Sequence, residues 1–208
     1  MSTTRDLIRK RQSIRKYHSQ PVPNKLILEA MEAANWAPSA HNAQPWRLIL
    51  VSDIAVKQIL AKAMADAWIN DLSQKATIGD NHQRRVSFSI KRFSTAPIVI
   101  VACLSLENMK KHSDTPQWGI ERDLAIQSLG AAVQNLLLSA SGNNLGACWF
   151  SAPIFCKDTV RQVLAIPKTV EPQAIILMGY PDEKPDKKPR KSINEFCFQN
   201  RWDNPLNF

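Results

Sequence analysis

Arg11-Gln12-Ser13-Ile14-Arg15 places two guanidiniums and a hydroxyl at alternate positions. In an extended backbone alternate side chains share a face, so Arg11, Ser13 and Arg15 converge. The cradle they form suits an oxyanion, because a guanidinium binds phosphate bidentately and stays charged. A solvated basic face accounts for the same residues equally well. Far along the chain, Lys188-Pro189-Arg190 offers more positive charge that could return toward the cradle, although a solvated tail explains it as simply.

Two further segments have the makings of a ligand site. Ala37-Pro38-Ser39-Ala40-His41-Asn42-Ala43-Gln44-Pro45-Trp46 is a loop stiffened by two prolines. Loops held rigid between regular elements are common ligand sites. Asn42 and Gln44 each offer donors and acceptors suited to the polar edge of a planar heterocycle. A plain helix-to-strand connector is the alternative. Gly146-Ala147-Cys148-Trp149-Phe150-Ser151-Ala152-Pro153-Ile154 is an aromatic strand end running into a proline-held turn. It could present backbone amides and apolar surface to a flat ligand, or simply be core. His41 reads as a structural or surface histidine, and Cys148, among apolar neighbours, as a buried inert thiol.

These segments need a scaffold. With 208 residues the chain is the size of one domain, 1–208, with residues 182–208 as a carboxy-terminal arm. Hydrophobic residues at 44% and charged residues at 22% exclude a wholly disordered chain. The four cysteines lack C-x-x-C spacing, which speaks against a disulfide scaffold or a structural zinc site, and no metal is expected. The apolar runs near residues 97–104 and 174–178 fall short of the roughly 20 residues that span a bilayer. The basic amino terminus has no apolar stretch after it, unlike a signal peptide. A reducing, cytoplasmic setting without membrane association is the expectation. The 27 Lys and Arg against 18 Asp and Glu give +9, concentrated near the two ends. Aromatic-basic interleaving, a zinc module and a recognition-helix pattern are all missing, which argues against nucleic acid.

Apolar periodicity predicts helices at 4–12, 24–37 (with Asn24 as N-cap), 53–67, 84–93, 121–141 and 158–164. It predicts strands at 46–51, 97–104, 145–151 and 174–180. Residues 69–81 and 105–119 are polar and poorly periodic and read as loops or mobile connections. The 121–141 helix carries apolar or small residues almost all round, the pattern of a helix buried in a core or an interface. Its Gly130-Ala131-Ala132 would permit close helix packing across a dimer. The interleaving is that of an α+β fold. The six glycines form neither G-x-G-x-x-G nor G-x-x-x-x-G-K-[ST], so a Rossmann fingerprint and a P-loop are excluded.

Taken in order, R-x-S-x-R, A-P-S-x-x-N-x-Q-P-W, G-A-C-W, and G-Y-P followed by K-P-R resemble the nitroreductase family of flavin mononucleotide enzymes, over most of the chain. The resemblance implies a central, mostly antiparallel sheet flanked by helices, a long buried central helix and an extended carboxy-terminal tail. It implies a homodimer with FMN at the subunit interface. It also implies NAD(P)H as electron donor and a nitroaromatic, quinone or similar small-molecule acceptor, served in a ping-pong sequence. Arg11, Gln12, Ser13 and Arg15 would hold the phosphate and ribityl chain, with Arg190 and Lys188 closing on the phosphate. Pro38, Ser39, Ala40, Asn42 and Gln44 would face the flavin, the loop coming from the partner subunit. The turn Ala152, Pro153, Ile154 would lie beside flavin N5. Pro153 has no N–H, so a neighbour such as Ile154 would donate there. Gln12 stands where many members have a basic residue. His41, Trp68, His112 and Trp118 are candidate substrate or lid residues, the last three on the irregular segments 66–85 and 105–120, and Arg92 a candidate for the ring edge. No side chain is implied as acid, base or nucleophile, since the flavin carries the chemistry. Alternatives inside the resemblance are a deazaflavin-precursor reductase, a dehalogenase, a flavin-consuming enzyme and a non-catalytic flavin-binding protein.

Overall fold

The computed structural model describes residues 3–75, 80–110 and 115–206. Six helices, α1 (Thr4–Lys10), α2 (Asn24–Asn35), α3 (Ile54–Lys75), α4 (Asp80–Thr95), α5 (Thr115–Gly142) and α6 (Lys157–Leu164), surround four strands. The strands β1 (Trp46–Val51), β2 (Ile98–Ser105), β3 (Gly146–Phe150) and β4 (Val170–Gly179) form one antiparallel sheet in the order β1-β2-β4-β3.

Period-two alternation divides the core into two layers. Ile98, Ile100, Ala102 and Leu104 of β2, with Ala174, Ile176 and Met178 of β4, face α2 and α5. Val99, Val101 and Cys103, with Ile175 and Leu177, face α3, α4 and α6. Both central strands are therefore buried on both faces, which is why they read as continuous apolar runs in the sequence.

Helix ends follow local chemistry. Thr3 and Asp6 form a reciprocal capping box on α1, and the Asp53 carboxylate accepts the Val56 N–H (2.9 Å) at the start of α3. Pro23, not Asn24, is the N-cap of α2, because the helix already includes Asn24.

The expected loop at 69–81 is overturned where it is described: residues 69–75 continue α3, and 80–81 begin α4. Burial on α3 fades between Ala65 and Asp71, so this stretch needs no continuous apolar stripe, and the segment holds no proline or glycine to stop it before Gly79. The second expected connection, 105–119, likewise begins as the end of β2 and finishes as the first turn of α5. Residues 76–79 and 111–114, and with them His112, lie outside the described residues.

Helix α5 is long and apolar enough to cross a bilayer by length and composition, with mean hydropathy 1.2 in an 18-residue window within Pro116–Gly142. In the fold, Ala125, Leu129, Ala132, Val133, Leu136, Leu137 and Ala140 bury one face in the core. The opposite face, including Gly130, Ala131 and Gln134, is half-buried or exposed. The expected long central helix is thus present, and within one chain it is buried on one face.

Candidate functional site

Beyond α1 the chain extends along the outer edge of β3. Ser13 bridges Ala147 in parallel, and the Ile14 N–H donates to the Ala147 carbonyl (3.0 Å). This approach is possible because residue 146 is glycine. A Cβ there would stand 2.7 Å from Cβ and Cγ2 of Ile14. Farther on, Tyr17 bridges Pro181, and the Asp182 N–H donates to the Lys16 carbonyl (3.0 Å). The Glu183 carboxylate accepts the N–H groups of Arg15 (2.5 Å) and Lys16 (3.2 Å). Those bonds bring the chain after β4 back against the amino-terminal segment.

The result is a cavity of about 690 Å³ lined by Arg11, Gln12, Ser13 and Arg15 together with Lys188 and Arg190. The two ends of the chain, 173 or more residues apart in sequence from Arg15 to Lys188, meet there. Arg9, Lys187 and Asp186 also line it, as does Gln134 of α5. Beneath the cradle the Cys148 thiol is held above its ordinary range by burial, with Arg15, a Ser13 hydrogen bond, Arg92 and Arg11 pulling the other way. Arg92 itself lies over the Phe150 ring, its Cζ 5.5 Å from the centroid, and is not among the cavity's lining residues.

The proline-stiffened loop occupies a different place. The backbone is left-handed at His41, Asn42 and Gln44 (φ 55°, 51° and 46°), a conformation that is costly outside glycine and concentrates at functional sites. Local bonds hold it. The Ser39 hydroxyl accepts the Gln44 N–H (3.1 Å), and the Ser128 hydroxyl of α5 accepts the Ala40 N–H (3.1 Å) while donating to the Leu124 carbonyl (2.7 Å). Pro38 is exposed. Asn42 and Gln44 line a second cavity of about 260 Å³ with Asn35, Trp46, Arg47 and Asn108. Within one chain, therefore, this loop and the cationic cradle do not share a cavity. Helix α5 joins them: Ser128 holds the loop, and Gln134 reaches the cradle about 9 Å farther along the helix axis.

After β3 the chain makes a short 3-10 turn, Ala152–Phe155, with Pro153 buried and Ile154 46% exposed. The Ile154 N–H donates to the Ser151 carbonyl (3.1 Å). Since Pro153 has none, Ala152 at the first position of the turn is the residue whose N–H has no partner within it.

The Nitroreductase family profile matches residues 8–180, more than four-fifths of the chain. The chain belongs to the nitroreductase family. YfhC of Bacillus subtilis (strain 168), whose name describes an NAD(P)H nitroreductase, is 31% identical over 93% of this chain and 92% of its own length. Among solved structures, a BluB-like flavoprotein of Clostridium difficile 630 superposes with a TM-score of 0.80 at 25% identity, covering 97% of this chain and all of the other. A nitroreductase-type protein of Desulfovibrio desulfuricans in complex with FMN superposes with a TM-score of 0.74 at 25% identity, covering 97% and 99%.

Within this nitroreductase-family chain, the remaining site candidates take definite places. His41 Nε2 lies 3.4 Å from Oε1 of Glu121, a buried carboxylate on α5. Trp68 and Trp118 both sit half-buried on helices, α3 and α5, rather than on the irregular segments expected to carry them. Residues missed in the sequence had modest signals. Gln134 is a polar residue on the outer face of α5, and its only signal was a break, with Asn135, in an apolar stretch. Gly146 stands directly before a strand, a position that signals close backbone approach. Glu183 left no signal, because its partners are backbone amides 167 and 168 residues away.

Proposed function

We propose that this chain is an FMN-dependent oxidoreductase that takes hydride from NAD(P)H and reduces nitroaromatic, quinone or similar acceptors at the same site. The observation that supports this most directly is the convergence of Arg11, Ser13, Arg15, Lys188 and Arg190 on one cavity. The residues present fit FMN. The cavity falls within the usual size of a ligand site, and its cations and hydroxyl suit a phosphate dianion and a polyol chain. The FMN seen in the Desulfovibrio relative supports the same choice.

In this reading Arg11, Arg15 and Arg190 hold the phosphate, with Lys188 beside them, and Gln12, Ser13 and Gln134 hydrogen-bond the chain that links it to the ring. When bound, FMN supplies the ring that accepts and releases hydride. Ala152, whose backbone N–H the turn leaves open, would be the donor to the ring edge in place of Ile154, whose N–H is already spent on Ser151. Pro38, Ser39, Ala40, Asn42 and Gln44 belong to a loop locked in a left-handed conformation, so its polar groups are oriented before any ligand arrives. Since that loop and the cradle lie apart in one chain, the complete site takes one from each of two copies. Exposed Trp36 (80%), Ile120 (59%) and Trp202 (82%) are large apolar side chains that a second copy would cover.

The test is an absorbance spectrum of purified protein with FMN, before and after NADH or NADPH under nitrogen. Bleaching of the flavin band, with recovery on adding a nitroaromatic or quinone, is the expected outcome. Protein that stays colourless with FMN added refutes the reading.

A further inference from the structure

The cradle holds more positive charge than one phosphate can use. Arg9, Arg11, Arg15, Lys187, Lys188 and Arg190 line the cavity against one carboxylate, Asp186, a net charge of +5. Among the described residues none of these six forms an ion pair. The chain does not lack carboxylates to neutralise them. Glu183, four residues before Lys187, spends its oxygen on the backbone N–H groups of Arg15 and Lys16 instead. Elsewhere in the fold cations are paired closely: Arg122 and Lys157 converge on Glu171, and Arg161 on Asp158. Unpaired like charges gathered on one concave surface repel each other and raise the local concentration of anions.

A single phosphate dianion brings the cavity to +3. Arg9, exposed on the last turn of α1, and Lys187, exposed on the returning arm, are the two cations outside the set assigned to FMN above. We propose that Arg9 and Lys187 recognise a second phosphate dianion, the 2′-phosphate of the nicotinamide donor, so that the enzyme uses NADPH in preference to NADH. This rests on the proposed function, in which the nicotinamide donor reaches a flavin whose phosphate lies in this cavity. NADH and NADPH differ only by that phosphate. Donor choice is therefore read out by whatever cations remain once the flavin phosphate is bound.

The experiment compares FMN-loaded wild-type protein with the exposed-surface variant R9Q/K187Q. For the wild type, kcat/KM for NADPH exceeds that for NADH by about tenfold or more, the worth of one charge-assisted contact. The ratio falls between 0.05 and 0.5 M salt, as screening requires. In R9Q/K187Q kcat/KM for NADPH falls further than that for NADH, so the ratio drops to within about threefold, and the variant still takes up FMN. Calorimetry supplies a readout apart from turnover: adenosine 2′,5′-bisphosphate binds the FMN-loaded wild type about tenfold more tightly than 5′-AMP, and the variant loses that difference. Equal use of the two donors by the wild type overturns the inference and leaves the oxidoreductase reading intact. So does a preference for NADPH that survives in the variant. Failure of both donors to bleach the flavin overturns the oxidoreductase reading itself, and this inference with it.

Discussion

Gly146→Ala puts the geometry of the cradle to a direct test. The added Cβ would lie 2.7 Å from Cβ and Cγ2 of Ile14 and 2.8 Å from Cγ1. Carbon atoms in comfortable contact are about 3.5–4.0 Å apart, so Ile14 must retreat by about 1 Å. A rotamer change cannot provide that distance, because the clash includes the Cβ of Ile14 itself. The backbone of the Ser13–Arg15 segment has to move, and the Ile14 N–H bond to Ala147 moves with it. Overpacking of this kind costs about 1–3 kcal/mol, which lowers Tm by roughly 2–10 °C for a chain of this length. Displacing the guanidiniums by about 1 Å forfeits at least one charge-assisted hydrogen bond, so FMN affinity falls about 10- to 100-fold. The assay is quenching of FMN fluorescence on titration into apoprotein, with Tm recorded separately without flavin. Gly142→Ala is the control, since the nearest atoms to its new Cβ are Cδ1 and Cδ2 of Leu7 at 3.8 and 4.0 Å, ordinary contacts. That variant should bind FMN like the wild type and melt no lower, as an alanine favours the helix. A Gly146→Ala protein that binds FMN within threefold of wild type at an unchanged Tm would refute the reasoning.

Other perturbations address the scaffold. Arg122 and Lys157 hold the Glu171 carboxyl down at about 2, against a usual value near 4.5, while partial burial opposes them. Because the folded value is depressed, the stabilisation is present above pH 4.5 and is lost as pH falls from there toward 2. Discounted for solvent screening, Glu171→Gln should cost about 1–2 kcal/mol at pH 7, and the Tm gap to wild type should close in melts between pH 4.5 and 2.5. Lys57, buried with its ammonium donating to the carbonyls of Ala96 (3.1 Å) and Pro97 (2.8 Å), closes the end of α4; Lys57→Met should lose about 1–3 kcal/mol in urea unfolding. Ser128→Ala strands the Ala40 N–H and should lower both Tm and flavin retention during gel filtration, whereas Ser128→Thr, which keeps the hydroxyl, should restore them in part. Burial pushes the Cys103 thiol up to about 12 and also raises that of Cys148, so a thiol reagent at pH 8 should modify neither until the protein unfolds.

Much of this fold was legible in the residues because local signals and tertiary demands agree. Residues 98–104 and 174–178 are unbroken β-branched and aliphatic runs, as strands covered on both faces must be. Asp53 caps a helix where its side chain can reach the Val56 N–H. Legibility failed where tertiary context replaced the apolar stripe. Residues 66–71 of α3 are half-buried or exposed, so their polar sequence looks like a loop. In α5 the face turned away from the core is also apolar or small, which erases the amphipathic signal that would have revealed one-sided burial. At the site, alternation alone placed Arg11, Ser13 and Arg15 on one surface. The return of Lys188 and Arg190 could only be guessed, because it depends on main-chain bonds around residues 180–183 that no side-chain pattern encodes. The pairing of His41 with Glu121, across the gap between a loop and α5, was equally invisible.

The segment that carries Ser13 and Ile14 also seals the free margin of β3, which is otherwise a row of unsatisfied backbone groups open to pairing with any extended chain. Whatever anion draws Arg11 and Arg15 inward presses that seal shut, by the mass action of a ligand on the state that binds it. An empty cradle relaxes it. Cofactor loss and self-association are therefore two readings of one opening: flavin-depleted preparations should scatter light first, and added FMN should protect the protein from aggregation at concentrations that track its occupancy of the site.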